Sequence, residues 1–358
     1  MPLGAAWSSG VPLASAARLP HDWRPMAEHA RLGGRVGLAL GSGAARGWAH
    51  VGVIRGLLAA GIVPEVMAGS SSGALVGAMY AAGKLDVFEA WGRALDWRQV
   101  VGYFDLTFRG GVIKARRLLD ELAANLPVAT IEALPRPFAC VATDLASGRE
   151  VWLRRGPLLD ALRASFAVPG LIAPVRIGDR WLIDGGVANP VPVSLCRAMG
   201  ADTVIAVDLN TALLGRRRRG RAGAEGQTSA QGPRAAEAPA REAAEAAPTA
   251  ADTGEPAPEP VATGRLRAAL DSLVADLRRR VNPTAPADPD AKPSIYEVLA
   301  QSLNIMQVRI TRSRMAGDPP ELLVTPRLAD FGLLDFDRAA EAIAEGERAV
   351  ARSLGAAG

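Results

Sequence analysis

Short apolar runs alternate with amphipathic segments along most of the chain. Six runs of strand length are bounded by Gly, Pro or charged residues, and a seventh, residues 66–68, leads into a serine-rich turn. The predicted strands are residues 35–41, 137–145, 150–154, 180–186, 203–209 and 321–326, and the predicted helices between them are residues 49–60, 72–82, 118–126, 157–166 and 190–199. Because strands alternate with helices, we expect an α/β fold with a mostly parallel sheet covered on both faces.

The pattern breaks once, at residues 216–260, which contain no Leu, Ile, Val, Met or aromatic residue. Nothing there offsets the entropy of ordering, so this segment is predicted to be a disordered insertion. Residues 264–281 then carry a leucine stripe flanked by arginines, which indicates a basic amphipathic helix. Such a helix either lies on anionic lipid or packs on the core or a partner, and packing is the favoured alternative. A capping box, Ser294 with Glu297, begins the next helix, and a final helix starts near Asp337.

Composition narrows the class of protein without identifying it. The chain has 358 residues, 49% of them hydrophobic, which is enough for a sizeable core. A net charge of +4 is too mild to indicate a nucleic-acid partner. Cys140 and Cys196 lie in apolar surroundings and suggest buried thiols in a reducing compartment. The first residues do not have the pattern of a secretory signal, so the expected location is the cytoplasm.

The sequence "GSSSG", residues 69–73, matches the pattern Gly-x-Ser-x-Gly between a strand-like and a helix-like run. This context predicts a nucleophile elbow, a strand-to-helix turn so tight that Gly69 and Gly73 must be small. Ser71 is the candidate nucleophile, placed where the amides of a helix N-terminus favour negative charge. An ordinary Gly- and Ser-rich helix N-cap explains the five residues about as well when they are taken alone.

A second small-residue loop, "LGSGAARGWAH", follows the first strand. Gly41 to Ala44 are small enough for the backbone to approach a ligand closely. A dinucleotide fingerprint is disfavoured, because Arg46 occupies the third glycine position and the acidic Glu65 comes at the start of the second strand, not at its end. An oxyanion hole built from the amides of Gly43 and Ala44 fits better. We expect Arg46 to hold this loop by binding its carbonyls, in preference to binding an anion.

The histidines do not supply an obvious base for Ser71. All three, His21, His29 and His50, precede the serine, whereas the usual order on this kind of elbow puts the histidine after it. His50 is expected to pack within the first helix or to hold a neighbouring group by a hydrogen bond.

A carboxylate is the remaining candidate for the base. Asp144, Asp184 and Asp208 each end an apolar strand, and any of them is also suited to bind a loop. Only Asp184 is followed by two glycines, Gly185 and Gly186, which allow another backbone to approach and the chain to turn sharply. The glycine pair favours Asp184.

Together, the Gly-rich loop ending in Arg-Gly, the Gly-x-Ser-x-Gly turn and the distant Asp-Gly-Gly resemble the patatin-like phospholipases, in particular their small bacterial subgroup. The resemblance covers residues 35–210 and 294–354. It implies a three-layer α/β/α fold, a Ser71–Asp184 catalytic dyad and an oxyanion hole at Ser42, Gly43 and Ala44, with no metal or cofactor. The segment "ASFAVPG", residues 164–170, is similar to another block of the family and is expected to shape the site. In this chain Ser-Gly-Ala replaces the family's three consecutive glycines, and the insertion is not part of the family core.

The expected function is therefore that of a serine acyl hydrolase that cleaves fatty-acyl esters of lipids through an acyl-enzyme. Supporting roles fall to Arg46, Gly69, Gly73, Gly185 and Gly186. The expected partner is a lipid or acyl-ester substrate, and contact with the inner membrane surface is left open. A noncatalytic acyl-chain-binding regulator and, with less support, a nucleotide-binding α/β enzyme are the alternatives.

The expected organisation has four parts. Residues 1–32 form a tail, residues 33–214 the catalytic core, and residues 215–292 a low-complexity insertion that carries the amphipathic helix. Residues 293–358 are expected to complete the catalytic domain.

Overall fold

An eight-stranded sheet lies at the centre of the part of the chain that the structure describes. The structure is a computed structural model that describes residues 33–97, 99–100, 121, 126, 128–211 and 295–355. The predicted tail, the insertion with its amphipathic helix, Ser294 of the capping box and nearly all of the helix predicted at residues 118–126 lie outside the described residues.

The centre of the sheet is parallel. Hydrogen-bonded neighbours follow the order β5-β6-β3-β2-β1-β7-β8, and β4 also pairs with β3. Neighbours from β3 to β8 along this order are parallel, whereas β4, β5 and β6 form antiparallel pairs. The strands are β1 Val36–Leu40, β2 Val66–Ser70, β3 Phe138–Asp144, β4 Glu150–Leu153, β5 Val175–Ile177, β6 Arg180–Asp184, β7 Thr203–Val207 and β8 Leu322–Val324. Every residue of β1, β2, β3 and β7 is buried, as expected for parallel strands covered on both faces.

Helices cover both faces of the sheet. They are α1 Trp48–Ala59, α2 Ser72–Ala81, α3 Leu85–Ala94, α4 Leu158–Ser165, α5 Val193–Ala198, α6 Ile295–Gly317 and α7 Ala339–Gly355. Side chains alternate along each strand, so Leu38 and Leu40 face the helices α1–α4 and α7, while Ala39 faces α5. The expected three-layer α/β/α fold with a mostly parallel centre is confirmed.

Two elements were not predicted, and several boundaries differ by one to three residues. The hydrophobic pattern did not predict β5, a three-residue strand, or α3, whose buried face consists only of Leu85, Phe88 and Gly92. Strand β6 ends at Asp184 because the following glycines form a 3-10 turn. Helix α5 begins at Val193 instead of residue 190, because Pro192 disfavours a helical backbone at Val191, the residue before it.

Helices α1 and α7 pack so closely that their backbones are in contact at two glycines. A Cβ on Gly52 would lie 1.8 Å from the Ile343 carbonyl oxygen, and one on Gly346 would lie 2.1 Å from the Ala49 carbonyl oxygen. Any larger residue at these positions would force the helices apart, so the two glycines determine how closely α7 packs on the core.

The register of β3 determines where the site forms. Strand β4 pairs with residues 140–143 along one edge of β3. Along the opposite edge, β2 pairs with residues 138–141 and β6 pairs with residues 142–144. The two strands therefore meet end to end, with Ser70 opposite Val141 and Asp184 opposite Ala142. This junction brings together the end of β2 and the end of β6, which are far apart in sequence.

Candidate active site

Ser71 occupies a strained turn between β2 and α2. Its backbone angles are φ 56° and ψ −123°, a combination that residues other than glycine rarely adopt. A Cβ on Gly69 would lie 2.4 Å from the Ala74 Cα, and one on Gly73 would lie 2.2 Å from the Leu40 carbonyl oxygen. These contacts explain why the residues flanking the turn are glycines and give it the geometry of the expected elbow.

Asp184 accepts a hydrogen bond from the Ser71 hydroxyl, with 2.5 Å between Oγ and Oδ2. Its other oxygen, Oδ1, accepts the Gly186 amide at 2.7 Å, and its backbone carbonyl accepts the Thr143 hydroxyl at 2.8 Å. A Cβ on Gly185 would lie 2.2 Å from the Val141 carbonyl oxygen, so the turn after Asp184 needs a glycine there. The carboxylate is thus held at both oxygens and aimed at the serine.

The burial of Asp184 changes its acidity. The side chain is almost completely enclosed, and loss of hydration raises the pKa of its carboxyl group from 3.8 to about 6. Hydrogen bonds from Ser71 and Gly186 lower the pKa, but by less than burial raises it. The group therefore titrates close to neutral pH, where a general base is most effective.

The segment predicted to shape the site contacts both candidate residues. Ser165, the last residue of α4, accepts the Ser71 amide at its hydroxyl oxygen over 3.0 Å. The Ala167 carbonyl accepts the Asp184 amide at 2.9 Å. Within that segment nothing singled out Ser165 itself, because its partner lies 94 positions away.

The Gly-rich loop offers two unpaired amides. The Gly41 amide donates to the Val207 carbonyl at 3.1 Å, and the Ser42 amide donates to the Pro190 carbonyl at 2.9 Å. The amides of Gly43 and Ala44 have no hydrogen-bond partner among the described residues. Of the three residues expected to form an oxyanion hole, Ser42 therefore has its amide already engaged, and only the next two have a free donor.

Arg46 orients one of these amides. Its side-chain Nε and its backbone amide both donate to the Gly43 carbonyl, at 3.2 Å and 3.1 Å. In a trans peptide the carbonyl and the following N–H point in opposite directions, so the Ala44 N–H points away from Arg46. Burial lowers the pKa of Arg46 to about 10, and the charge of Asp208 opposes that shift. The guanidinium is therefore still charged at neutral pH.

His50 binds the loop as well, and among the described residues no hydrogen bond joins it to Ser71. Its Nε2 donates to the Gly41 carbonyl at 2.7 Å. Burial lowers the pKa of His50 to about 4, so the ring is neutral at pH 7. The histidine acts on the loop backbone, which is the role the sequence favoured.

The other two strand-end aspartates also hold loops. The Asp144 carboxylate accepts the amides of Ala146 and Ser147 at 3.1 and 2.8 Å. The Asp208 carboxylate accepts the Asn210 amide at 2.8 Å and the Thr211 hydroxyl. Both carboxylates are thus engaged locally, in turns that end their own strands.

A narrow cleft joins the elbow, Asp184 and the Gly-rich loop. Its outer wall is α6, which contributes Ala300, Leu303, Asn304 and Gln307 to a mostly apolar lining. The helical spacing of apolar residues predicted this helix but not its position over the site. Within the described residues, no cluster of three or more His, Cys, Asp or Glu side chains is arranged to hold a metal ion. No helix in the same part of the chain is long and apolar enough to cross a membrane.

Fold and site together define an α/β/α protein with a serine on a strand-to-helix elbow, and the comparisons with known proteins identify its family. The model of the patatin-like phospholipase family matches residues 38–197. An uncharacterized NTE family protein of Mycobacterium tuberculosis is 35% identical over 332 residues, which are 89% of this chain and 91% of the relative. The chain therefore belongs to the patatin-like phospholipase family.

Two relatives share only about half of the chain. A patatin-like phospholipase domain-containing protein of Caenorhabditis elegans is 33% identical over 189 residues, 50% of this chain and 14% of the relative. A lysophospholipase of Aspergillus fumigatus is 34% identical over 188 residues, 51% of this chain and 12% of the relative. The matched segment makes up 14% or less of the length of each of these two relatives.

Proposed function

We propose that this protein is a serine acyl hydrolase that cleaves fatty-acyl esters of lipids, with Ser71 as nucleophile and Asp184 as base. The observation that carries the proposal is the 2.5 Å hydrogen bond from the Ser71 hydroxyl to a buried carboxylate. A structural serine at a helix start needs neither a strained backbone nor a buried carboxylate partner. Both features occur here on one residue, in a cleft that also contains two amides without a partner among the described residues.

The first half of the reaction forms an acyl-enzyme. Asp184 accepts the proton of the Ser71 hydroxyl while Oγ bonds to the ester carbonyl carbon. The amides of Gly43 and Ala44 donate to the oxyanion of the tetrahedral intermediate. When the ester C–O bond breaks, the proton passes from Asp184 to the leaving alcohol, and the acyl group stays on Ser71.

The second half regenerates the enzyme. Asp184 takes a proton from a water molecule, whose oxygen attacks the acyl carbon, and the same two amides bind the second oxyanion. Collapse returns the proton to Ser71 Oγ and releases the fatty acid. Because a carboxylate is a weak base for a hydroxyl group, the amides must supply much of the barrier reduction, and we expect slow turnover.

Phospholipids and lysophospholipids are the proposed substrate class. The apolar lining of the cleft fits an acyl chain, and one relative is named a lysophospholipase. We also propose that residues 33–214 and 293–358 form one catalytic domain, with residues 1–32 as a tail and residues 215–292 as an insertion. The two cysteines are free and buried, which supports a reducing compartment such as the cytoplasm.

The test combines covalent labelling with product analysis. We expect a fluorophosphonate probe to label Ser71, and lysophosphatidylcholine or phosphatidylcholine vesicles to release free fatty acid. Ser71→Ala and Asp184→Asn should reduce hydrolysis to background. Ser72→Ala is the matched control, because it removes the neighbouring buried hydroxyl, which has no partner among the described residues, and should retain activity.

Two results would contradict the proposal. One is full hydrolysis in a folded Ser71→Ala variant. The other is an acyl chain bound by a wild-type protein that neither reacts with the probe nor releases fatty acid, which would favour the noncatalytic alternative.

A further inference from the structure

Three successive carbonyls of the Gly-rich loop each accept a side-chain hydrogen bond. His50 binds that of Gly41, Arg46 binds that of Gly43, and Asn210 binds the one between them, that of Ser42. Asn210 follows β7 in a turn fixed by its own amide, which donates to the Asp208 carboxylate at 2.8 Å. Its side-chain Nδ2 donates to the Ser42 carbonyl at 3.1 Å. Because a carbonyl only accepts, this contact identifies the amide nitrogen of Asn210 as the atom facing the loop.

The Ser42 carbonyl and the Gly43 N–H belong to the same peptide group. Since that peptide is trans, fixing the carbonyl on Asn210 turns the Gly43 N–H to the opposite side. Gly43 lines the cleft beside Ser71, and its amide is one of the two without a partner among the described residues. In the same way, Arg46 orients the Ala44 amide by binding the carbonyl of the same peptide group, that of Gly43.

Gln307 on α6 fixes the orientation of Asn210. Its Oε1 accepts the second hydrogen of Asn210 Nδ2 at 2.9 Å. Its Nε2 lies beside the turn after Asp184, since a Cβ on Gly186 would be 2.6 Å from that atom. Gln307 therefore sits between the aspartate turn and Asn210, and its side chain also lines the cleft.

We propose that Asn210 is a positioning residue that aims the Gly43 amide at the developing oxyanion, and that Gln307 keeps Asn210 in that orientation. The inference rests on the proposed function, because an amide donor matters for rate only if Ser71 is acylated. It connects α6, the wall of the cleft, to the oxyanion hole through a single hydrogen bond between two side-chain amides. Neither residue touches the reacting atoms in this scheme.

The test separates transition-state stabilisation from substrate binding. In Asn210→Asp the shape is retained, but a carboxylate oxygen opposes the Ser42 carbonyl, and in Asn210→Ala the donor is absent. With a soluble p-nitrophenyl ester we expect kcat to fall about 10- to 100-fold, which is less than the loss of a whole oxyanion donor. KM should change by no more than about twofold, because the hydrogen bond to the oxyanion is made mainly in the transition state.

A transition-state analogue provides a second readout. An alkyl trifluoromethyl ketone forms a tetrahedral adduct with the serine, so its affinity should fall in parallel with kcat in the Asn210 variants. Gln307→Ala should lower kcat about 3- to 10-fold by the same route. Because both side chains act as one unit, the double variant Asn210→Ala, Gln307→Ala should be no slower than Asn210→Ala.

The matched control is Asn189→Ala. Asn189 is also a buried asparagine, and its Nδ2 donates to Glu150 at 2.7 Å and to Ser194 at 3.4 Å instead of to the loop. The Asn189→Ala variant should lose about as much stability as Asn210→Ala but retain the wild-type kcat.

Folded Asn210→Asp or Gln307→Ala protein with unchanged kcat and ketone affinity would overturn the inference, as would an equal loss of kcat in Asn189→Ala. A failure of the proposed function looks different, because either Ser71→Ala would remain active or the wild-type protein itself would show no hydrolysis. Gln307→Ala, at a partly exposed position, keeps the inference testable if both Asn210 variants fail to fold.

Discussion

Asp184→Asn should make the folded protein more stable at neutral pH while it abolishes hydrolysis. The Asp184 side chain is 2% exposed, and burial raises the pKa of its carboxyl group from 3.8 to about 6. Above pH 6 the folded protein therefore carries a buried negative charge that the unfolded chain carries in water. Asparagine keeps the shape and an oxygen for the Gly186 amide, but it has no charge.

The size and sign of the effect follow from the two pKa values. The difference between about 6 in the folded state and 3.8 in the unfolded state corresponds to about 3 kcal/mol. Between these pH values the folded state binds more protons than the unfolded state, so the contribution of Asp184 to the free energy of unfolding falls as the pH rises. The cost is absent below about pH 3.8 and complete above about pH 6.

Urea unfolding of both proteins from pH 4 to pH 7.5 measures this contribution. Taking the difference between variant and wild type cancels the groups they share, and the difference should increase by about 2.5 kcal/mol in favour of Asp184→Asn over that range, because part of the cost is already present at pH 4. Asp144→Asn is the control: hydrogen bonds from Ser147 lower the pKa of Asp144 below its usual value of 3.8, so its contribution changes mainly below pH 4 and the difference from wild type should stay nearly flat from pH 4 to pH 7.5. A difference for Asp184→Asn that stays flat, or moves against the variant as the pH rises, would refute the reasoning.

Three further predictions use other features of the site and core. The kcat/KM for ester hydrolysis should rise with pH to a plateau, with a midpoint near 6 set by Asp184. His50→Gln should leave that midpoint in place, because burial lowers the pKa of His50 to about 4; a profile from pH 4.5 to 8.5 checks both statements. Ser71→Gly should be about 1–3 kcal/mol more stable than Ser71→Ala in urea unfolding, since glycine tolerates φ 56°; equal stability would mean that the turn is not strained. Gly52→Ala should cost at least about 1–3 kcal/mol, because its Cβ meets the Ile343 carbonyl, whereas Gly355→Ala, with nothing within 4 Å, should change stability little; equal thermal shifts would contradict the close helix contact.

Local signals predicted the elements and the two central side chains. The apolar runs predicted β1, β2, β3 and β7, because parallel strands buried on both faces leave a continuous hydrophobic pattern. Ser71 and Asp184 stood out because each needs adjacent glycines for a turn in which a Cβ would clash. The assignment of their catalytic roles stays a prediction.

Three of the residues that hold the site together gave no local signal of their own. Ser165, Asn210 and Gln307 are ordinary polar residues whose partners lie about 94 to 168 positions away, and only the folded chain brings them together. The engagement of the Ser42 amide by Pro190 is equally non-local. Helix α3 was missed for a different reason, because its apolar face is short and interrupted by charged residues.

The most direct test of the account is to trap the acyl group on the protein. A soluble p-nitrophenyl ester is mixed with the enzyme, the reaction is quenched in acid within the first turnover, and the peptides are mapped by mass spectrometry. We predict an added acyl mass on the peptide that contains Ser71, absent in Ser71→Ala, together with a p-nitrophenol burst no larger than one per protein molecule. An acyl mass on a different residue, or undiminished hydrolysis by a folded Ser71→Ala variant, would contradict the account.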